Sequence, residues 1–573
     1  MNRAMFSRIR PVQVLVVALL AISAFAAKTP TATPLRFEVS YPADLAKGPL
    51  DGRVLLAIST NDKAEPRFQI VEELAESQQL FGVDVDRLAP GAAATIDGST
   101  VGYPLESLDR LPAGDYYVQA VFNIYETFHR ADGHTIKLPP EMGEGQQWNR
   151  KPGNLFSKPQ KMHLDPSGGV VKISLTEKMP PVEIPKDTQY VKHFRIQSKL
   201  LSNFWGQPVY LGAIVVLPQG FDEHSDAHYP LLVNQGHFPA DFRSFRTEPP
   251  TPDMKEGARV RAQFQYKLYQ DWTSGRLPKM LILLIQHANP YYDDSYAVDS
   301  ANVGPYGAAI TQELIPEVER RYRGIAQPWA RAVYGGSTGG WEAAASQIFY
   351  PDYFNGAYCW CPDPVDFHAY QNVNIYDDKN ALFDVSNWTK APRAEMRTYD
   401  GTLQATMESA TRRERVIGTR GRSAEQFDIW QAVFSPVGAD GYPKPIWDPV
   451  SGVIDKDVAN YWKEHYDLNH IMQRDWKTLG PKLVGKLHFT AGDMDTWYLN
   501  NAVHLVQDFM DSPQNPYRAA DFEFGNRKPH CYTGGGNGPM LESGATALQR
   551  IMPALAEHFK ATAPQGADMS WVY

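Results

Sequence analysis

Arg331-Ala-Val-Tyr-Gly-Gly-Ser-Thr-Gly-Gly340 is the stretch from which this 573-residue chain is best read. Arg331 to Tyr334 suits a buried strand, and Trp341 to Phe349 reads as a helix. Between them, Gly335-Gly336-Ser337-Thr338-Gly339 has the spacing G-x-S-x-G. A strand-to-helix turn tight enough to expose a serine hydroxyl puts strained backbone angles on the serine. It also brings neighbouring chain close, so small residues must flank it. The helix that follows aims its unpaired amides, Thr338 first, at any anion forming beside the hydroxyl. In this context Ser337 is expected to be a nucleophile. The plain alternative is a tight turn with a packing serine.

Such a serine needs a base and a group to orient the base, which α/β-hydrolases carry in the chain order serine, acid, histidine. Lys486 to Thr490 reads as a late strand, and Asp493 and Asp495 lie on the loop after it. Asp495 is the favoured acid, with Asp493, Asp363 and Asp366 as alternatives; Asp495 could equally cap the helix expected over Thr496 to Phe509. Asp521 to Phe524 is the next strand, followed by Gly525-Asn-Arg-Lys-Pro-His530 and a Gly-rich run from Thr533 to Gly538. His530, 35 residues after Asp495, takes the role of general base, while His488 and His558 are read as structural. The second oxyanion donor is assigned to the backbone N–H of His237, in Gln235-Gly236-His237-Phe238 after the strand Leu231 to Asn234.

From about Val191 onward, further apolar runs (Leu211 to Leu217, Met280 to Gln286) alternate with helical segments such as Gly307 to Tyr322. This is the pattern of an α/β domain whose parallel sheet is covered on both faces. Residues ~190 to 560 resemble the putative-esterase group of α/β-hydrolases, which includes esterase D-like enzymes, enterochelin esterases and feruloyl esterase domains. The resemblance rests on Gly335 to Gly340 followed by Phe349-Tyr-Pro-Asp-Tyr-Phe354, on Tyr229-Pro230, on Gly492-x-x-Asp495 and on a late His530. It implies an α/β-hydrolase fold and serine hydrolysis of an ester, with no cofactor and no metal. Departures are Gln235 where the group usually has His, Thr338 where Met is common, and a long insertion.

That insertion follows from arithmetic. Ser337 and Asp495 are 158 residues apart, more than one strand–helix–strand passage needs, so residues 358–482 are expected to form a cap. It holds Trp360, Trp388, Trp430, Trp447, Trp462 and Trp476, six of the thirteen tryptophans. They either clasp a ring of the substrate or make the cap's own core. Of the three cysteines, Cys531 follows the base, and Cys359 and Cys361 end the strand after the nucleophile helix. In an oxidising compartment Cys531 is a candidate to bridge one of them, with Cys361–Cys531 the pair carried forward. Tannase-type feruloyl esterases use a comparable bridge, but there a Cys directly precedes the serine, where this chain has Gly336. A metal site at Cys359-x-Cys361 has no supporting partner spacing.

Towards the N-terminus, Arg3, Arg8 and Arg10 precede an apolar run from Val12 to Phe25, and Ala24-Phe25-Ala26 is a small-x-small cleavage pattern. Residues 1–26 therefore read as a cleavable signal peptide, and the mature protein as periplasmic or secreted, with no stable membrane insertion. Loss of the three arginines takes the formal charge from −9 to −12. That acidity, with no basic stripe, excludes a nucleic-acid partner. Residues 27–178 read as β-rich and sandwich-like. Their clearest strand is Asp115 to Tyr125, with Gln119 and Asn123 on the face opposite Tyr116, Val118, Ala120 and Phe122. Residues 129–166 look like a Pro/Gly-rich excursion, residues 179–190 are a stiff linker, and 191–573 form the α/β domain.

The reading is an exported serine esterase acting on a small-molecule or polysaccharide-linked ester: a feruloyl or acetyl ester of plant polysaccharide, or a siderophore ester. A prolyl-oligopeptidase-type peptidase would need a propeller of several hundred residues, which the N-terminal ~150 cannot make. An inert carbohydrate-binding relative would have no chemical reason to keep three triad members in order.

Overall fold

A computed structural model describes residues 34–512, 515–517, 519–535 and 544–573. The expected signal peptide and part of the Gly-rich run after Thr533 lie outside the described residues. Eight strands form the main sheet: β1 Val191–Ser198, β2 Val209–Val216, β3 Leu231–Gln235, β4 Leu281–Gln286, β5 Arg331–Gly336, β6 Ala357–Trp360, β7 Leu487–Gly492 and β8 Ala520–Gly525. Their order across the sheet is β1-β2-β4-β3-β5-β6-β7-β8. β2 runs antiparallel to both β1 and β4, and every other pair is parallel. The middle strands are apolar without alternation, Leu281 to Ile285 being buried throughout, as strands covered on both faces must be.

The covering helices fall into two groups. α1 (Glu256–Thr273) packs on α8 (Gly544–Thr562), while α6 (Leu468–Leu483) packs on both α2 (Thr338–Phe349) and α7 (Asn500–Asp511). Between β6 and β7 the chain adds two hairpins, Phe383–Val385 with Lys390–Pro392 and Ala394–Arg397 with Leu403–Thr406. It also adds α3 (Met407–Ile417), α4 (Gln426–Phe434) and α5 (Lys456–His465) before α6. α3 starts on a capping box, Thr406 Oγ1 accepting from Ser409 N–H while Ser409 Oγ accepts from Thr406 N–H.

The tryptophans of this insertion make a core rather than a clasp. Trp430, Trp447 and Trp462 are buried and surround Tyr370, with ring centroids 4.8, 5.5 and 6.0 Å from it. Trp476 is buried against Phe509, and Trp360 beneath Tyr334. Only Trp388 faces outward, 92% exposed, between the strands of the first hairpin.

Residues 34–178 fold as two sheets. A three-stranded one (Val170–Ser174, Arg36–Ser40, Ala94–Ile96) and a larger one built on Gly114–His129, Leu50–Ser59 and Gln79–Leu88 share a core of Phe37, Val39, Val54, Leu56, Phe81 and Phe122. One expectation needs correcting. Residues 129–166 are not simply an excursion, because Thr135–Leu138, Leu155–Phe156 and Gln160–Leu164 all pair with Gly114–His129. Gln119 and Asn123 are both buried, because residues 139–154 and α3 cover that face. Gln119 Nε2 donates to Ser157 O at 2.9 Å, and Asn123 Oδ1 accepts from Asn154 Nδ2 at 3.1 Å, so the burial leaves neither amide unpaired.

The covering contact is specific. Leu55, Ala57, Val121 and Trp148 form one apolar cluster with Val416 and Ile417 of α3. The buried Arg53 guanidinium donates to Val416 O (2.7 Å), Arg415 O (2.9 Å) and Asp84 Oδ1 (2.8 Å). Residues 179–188, by contrast, have no regular secondary structure and are mostly exposed, Ile184 by 83%.

Candidate active site

Ser337 sits where β5 turns into α2, with φ 59° and ψ −126°. Those angles are disfavoured for an L-residue with a side chain and persist only where surrounding structure dictates them. Here the surroundings are two close approaches. A Cβ on Gly336 would lie 2.0 Å from Trp360 Nε1, and one on Gly339 would lie 2.1 Å from Gln235 O. The glycines thus let β6 and the end of β3 close against the serine turn. The Ser337 amide donates to Trp360 O at 3.1 Å, which fixes the turn to β6. Thr338, as the first residue of α2, has an amide with no intrahelical acceptor.

Asp495 and His530, the candidate acid and base, are brought into contact. Asp495 Oδ2 is 2.7 Å from His530 Nδ1, and the Asp495 side chain is fully buried. Its other oxygen, Oδ1, accepts from the amides of Trp497 (3.0 Å) and Leu499 (3.2 Å). One oxygen of this carboxylate therefore holds its own loop and the other meets His530; Asp495 does not cap the helix, which begins at Asn500 without a side-chain cap. The loop delays the helix to Asn500, four residues later than the sequence suggests. A strand in register, β7 beside β8, places the two loops side by side.

A serine turn in this place on this strand order, with acid and histidine after β7 and β8, settles the architecture. The fold is that of the α/β-hydrolases. Solved structures similar to the chain include a ferulic acid esterase, at 16% identity over 64% of this chain and 98% of that one, with a TM-score of 0.35. An S-formylglutathione hydrolase from Agrobacterium tumefaciens is 10% identical over 66% and 98% (TM-score 0.34). The fluorophosphonate-binding serine hydrolase F of Staphylococcus aureus is 13% identical over 65% and 99% (TM-score 0.31). No family profile and no curated protein matches the chain.

Other expectations resolve differently. Asp363 does not face His530 as an alternative acid. Its Oδ2 accepts from Tyr296 Oη (2.5 Å), Thr338 Oγ1 (3.0 Å), Gln426 Nε2 (3.2 Å) and Trp430 Nε1 (3.3 Å), all around the first residue of α2. Burial pushes the Asp363 carboxyl up, against the pull of the Tyr296 and Thr338 hydroxyls. Asp366 accepts from the His368 amide and Asn469 Nδ2. Asp493 lies on the acid loop, where its carbonyl and that of Asp495 both accept from Arg397. His488 stacks on Tyr358 at 4.5 Å, and His558 lies on α8, both away from the triad.

Cys361 and Cys531 are brought together, as expected, but as free thiols; Cys359 is also free, and buried in β6. The Cys361 and Cys531 sulfurs and a His530 ring nitrogen all lie within 4.8 Å of one another. Burial alone would push His530 down, but the Cys531 sulfur and then the Asp495 carboxylate outweigh it and hold the ring well above its ordinary value. The hydrogen bond from Cys361, aided by His530, holds Cys531 well below the usual thiol range, whereas burial pushes Cys361 up. Among the described residues, no hydrogen bond of Ser337 Oγ is present.

Two groups were not legible in the sequence. Arg397, on the second hairpin of the insertion, lies over the Tyr498 ring at 4.0 Å and donates its Nε to Asp495 O at 3.0 Å, bracing the acid loop from 98 residues away. The side chain of His237 points not to the serine but to Asp293 and Asp294, on the loop after β4. The Asp-Asp pair in Tyr291-Tyr-Asp-Asp-Ser295 was the one signal that could have found it.

Proposed function

We propose that the protein is an exported serine esterase that hydrolyses a carboxylic ester through an acyl-enzyme. The observation that carries this reading is the 2.7 Å Asp495–His530 contact on the loops that follow β7 and β8, with Ser337 held at φ 59° on its turn. Ser337 Oγ attacks the ester carbonyl while His530 Nε2 takes its proton, with Nδ1 held by Asp495 in the required tautomer. The oxyanion accepts from the amides of Thr338 and His237, the latter brought near by the approach of Gly236 to Gly339. His530 returns the proton to the leaving alkoxide; water then repeats the sequence and frees the acid. No step calls for a cofactor.

Residues 358–482 serve as a cap over this site, residues 27–178 as a β-sandwich domain docked on the cap, and residues 1–26 as the export signal. The substrate is a small or polysaccharide-linked ester, feruloyl and acetyl esters of plant polysaccharide and siderophore esters being the classes to compare. Because Trp430, Trp447 and Trp462 are buried round Tyr370, these tryptophans give no ground for preferring one acyl group over another.

The test is hydrolysis of p-nitrophenyl acetate by the wild type and by Ser337→Ala, with fluorophosphonate labelling of both. Turnover and labelling that disappear together in the variant support the mechanism. Labelling that persists in Ser337→Ala would overturn it.

A further inference from the structure

The geometry points to a divalent-cation site formed by His237, Asp293 and Asp294, which ties the loop after β3 to the loop after β4. His237 Nδ1 lies 3.0 Å from Asp293 Oδ1 and 3.3 Å from Asp294 Oδ2, and all three donor atoms lie within 4.8 Å of one another. Donors sharing an ion at about 2.1 Å stand about 3.0 Å apart at right angles and about 3.4 Å apart at the tetrahedral angle. The three atoms are therefore spaced for one face of a coordination shell, with the remaining positions open to water.

A second observation separates this group from an ordinary surface cluster. Asp294 is fully buried, and its Oδ2 has no hydrogen-bond partner. Its Oδ1 is occupied by the Tyr296 amide at 3.1 Å, and the Asp294 carbonyl accepts from Asn289 Nδ2 at 2.6 Å. The carboxylate is thus held with one oxygen spent on the backbone and the other turned to His237. That buried oxygen has the His237 ring at 3.3 Å but no hydrogen bond, and a cation between the two would supply the bonded partner it lacks.

The surrounding charge has the same bias. Glu342 on α2 is also fully buried, and neither of its oxygens has a hydrogen-bond partner; Oε1 lies 3.8 Å from His287 Nε2. His287 is occupied, its Nδ1 paired with Ser295 Oγ at 2.8 Å. Glu342 stands against His287, so the carboxyl groups that face the half-exposed His237 imidazole are those of Asp293 and Asp294. A proton on His237 offsets a single negative charge, whereas a divalent ion offsets two and leaves the ring neutral.

The ion has a way in. A cavity of about 380 Å³, lined by Gln147 and Trp148 of the loop before Leu155–Phe156 and by Tyr292 and Glu425, reaches His237 and Asp293. Two carboxylates and an imidazole suit Mn²⁺, Co²⁺ or Zn²⁺, whereas Ca²⁺ prefers a larger set of oxygens. The role is positional. An ion here fixes the residue that follows Gly236, and with it the backbone facing the serine turn.

The test uses the purified protein stripped with EDTA and titrated with Mn²⁺, free ion being followed by its EPR signal. Mn²⁺ is the probe because the Cys361 and Cys531 thiols are poor ligands for it. One equivalent is expected to bind wild type and Asp366→Asn alike. Asp293→Asn and His237→Gln, checked for native circular dichroism, should each weaken binding by about tenfold or more. Absence of Mn²⁺, Co²⁺ and Zn²⁺ binding at millimolar concentration, or Mn²⁺ binding equal in wild type and both ligand variants, would overturn the site and leave His237 as an imidazolium between two carboxylates. Because binding is read without substrate, failure here is distinct from failure of the esterase reading.

Discussion

Gly339→Ala probes the closest approach in the site. A Cβ there would stand 2.1 Å from Gln235 O and 3.0 Å from Gly236 Cα. Carbon–oxygen contacts settle at about 3.3 Å, so the first turn of α2 and the end of β3 must separate by about 1.2 Å. Both partners are backbone, so no side chain can swing away to relieve the clash. Misplacing an oxyanion donor by about 1 Å costs about 100-fold, and losing one altogether costs about 10²–10³ in kcat, or about 2.7–4 kcal/mol. The strain also costs about 1–3 kcal/mol of stability. We therefore expect kcat for p-nitrophenyl acetate to fall by about two to three orders of magnitude with little change in KM, since the lost contact exists only in the transition state. Steady-state kinetics with thermal unfolding in parallel give both numbers. A folded Gly339→Ala whose kcat stays within threefold of wild type would refute the assignment of the Gly236–His237 segment to the oxyanion.

Asp495→Asn should reduce kcat by about 10⁴, because an amide stabilises the wrong tautomer of His530; the loop contacts of Oδ1 with Trp497 and Leu499 survive, so the unfolding midpoint should move little. The base must be neutral to act, so activity should rise with pH through a His530 pKa held above its ordinary value; removing the neighbouring sulfur in Cys531→Ala should move that limb to lower pH, read from kcat/KM profiles. Arg397→Ala should lower kcat roughly tenfold by loosening the acid loop, with fluorophosphonate labelling slowed in proportion. Arg53→Ala strands buried carbonyls at Val416 and Arg415 and should destabilise the protein by about 3 kcal/mol in urea titration while leaving KM unchanged in the folded fraction.

What the sequence makes legible is whatever is decided within a few residues of chain. The serine turn announces itself through glycines that only close packing requires, and Asp495 and His530 follow from the strands before them. β4 and β5 read as buried strands for the same reason, their apolar runs being too continuous for a half-exposed sheet. What escapes is decided by distant chain. Gln119 and Asn123 have the alternation of a solvent-facing edge, and nothing nearby tells that α3, almost 300 residues on, will cover them. Nor does composition distinguish tryptophans gathered round Tyr370 from tryptophans gathered round a ligand. Asp363 was sought as a triad acid on its loop position, but Tyr296, Gln426 and Trp430 give it another set of partners.

The seam between the N-terminal sheets and α3 bears on how this chain can be cut. By composition, residues 179–190 invite trimming, and an expression clone beginning near Val191 would retain Ser337, Asp495 and His530. Yet such a fragment would bare Val416 and Ile417 and withdraw the guanidinium that meets the carbonyls of Arg415 and Val416. The exposed tether and the energetic boundary fall in different places. A protease nick at the tether should leave two pieces that co-migrate, and the hydrolase half made alone should be prone to aggregate.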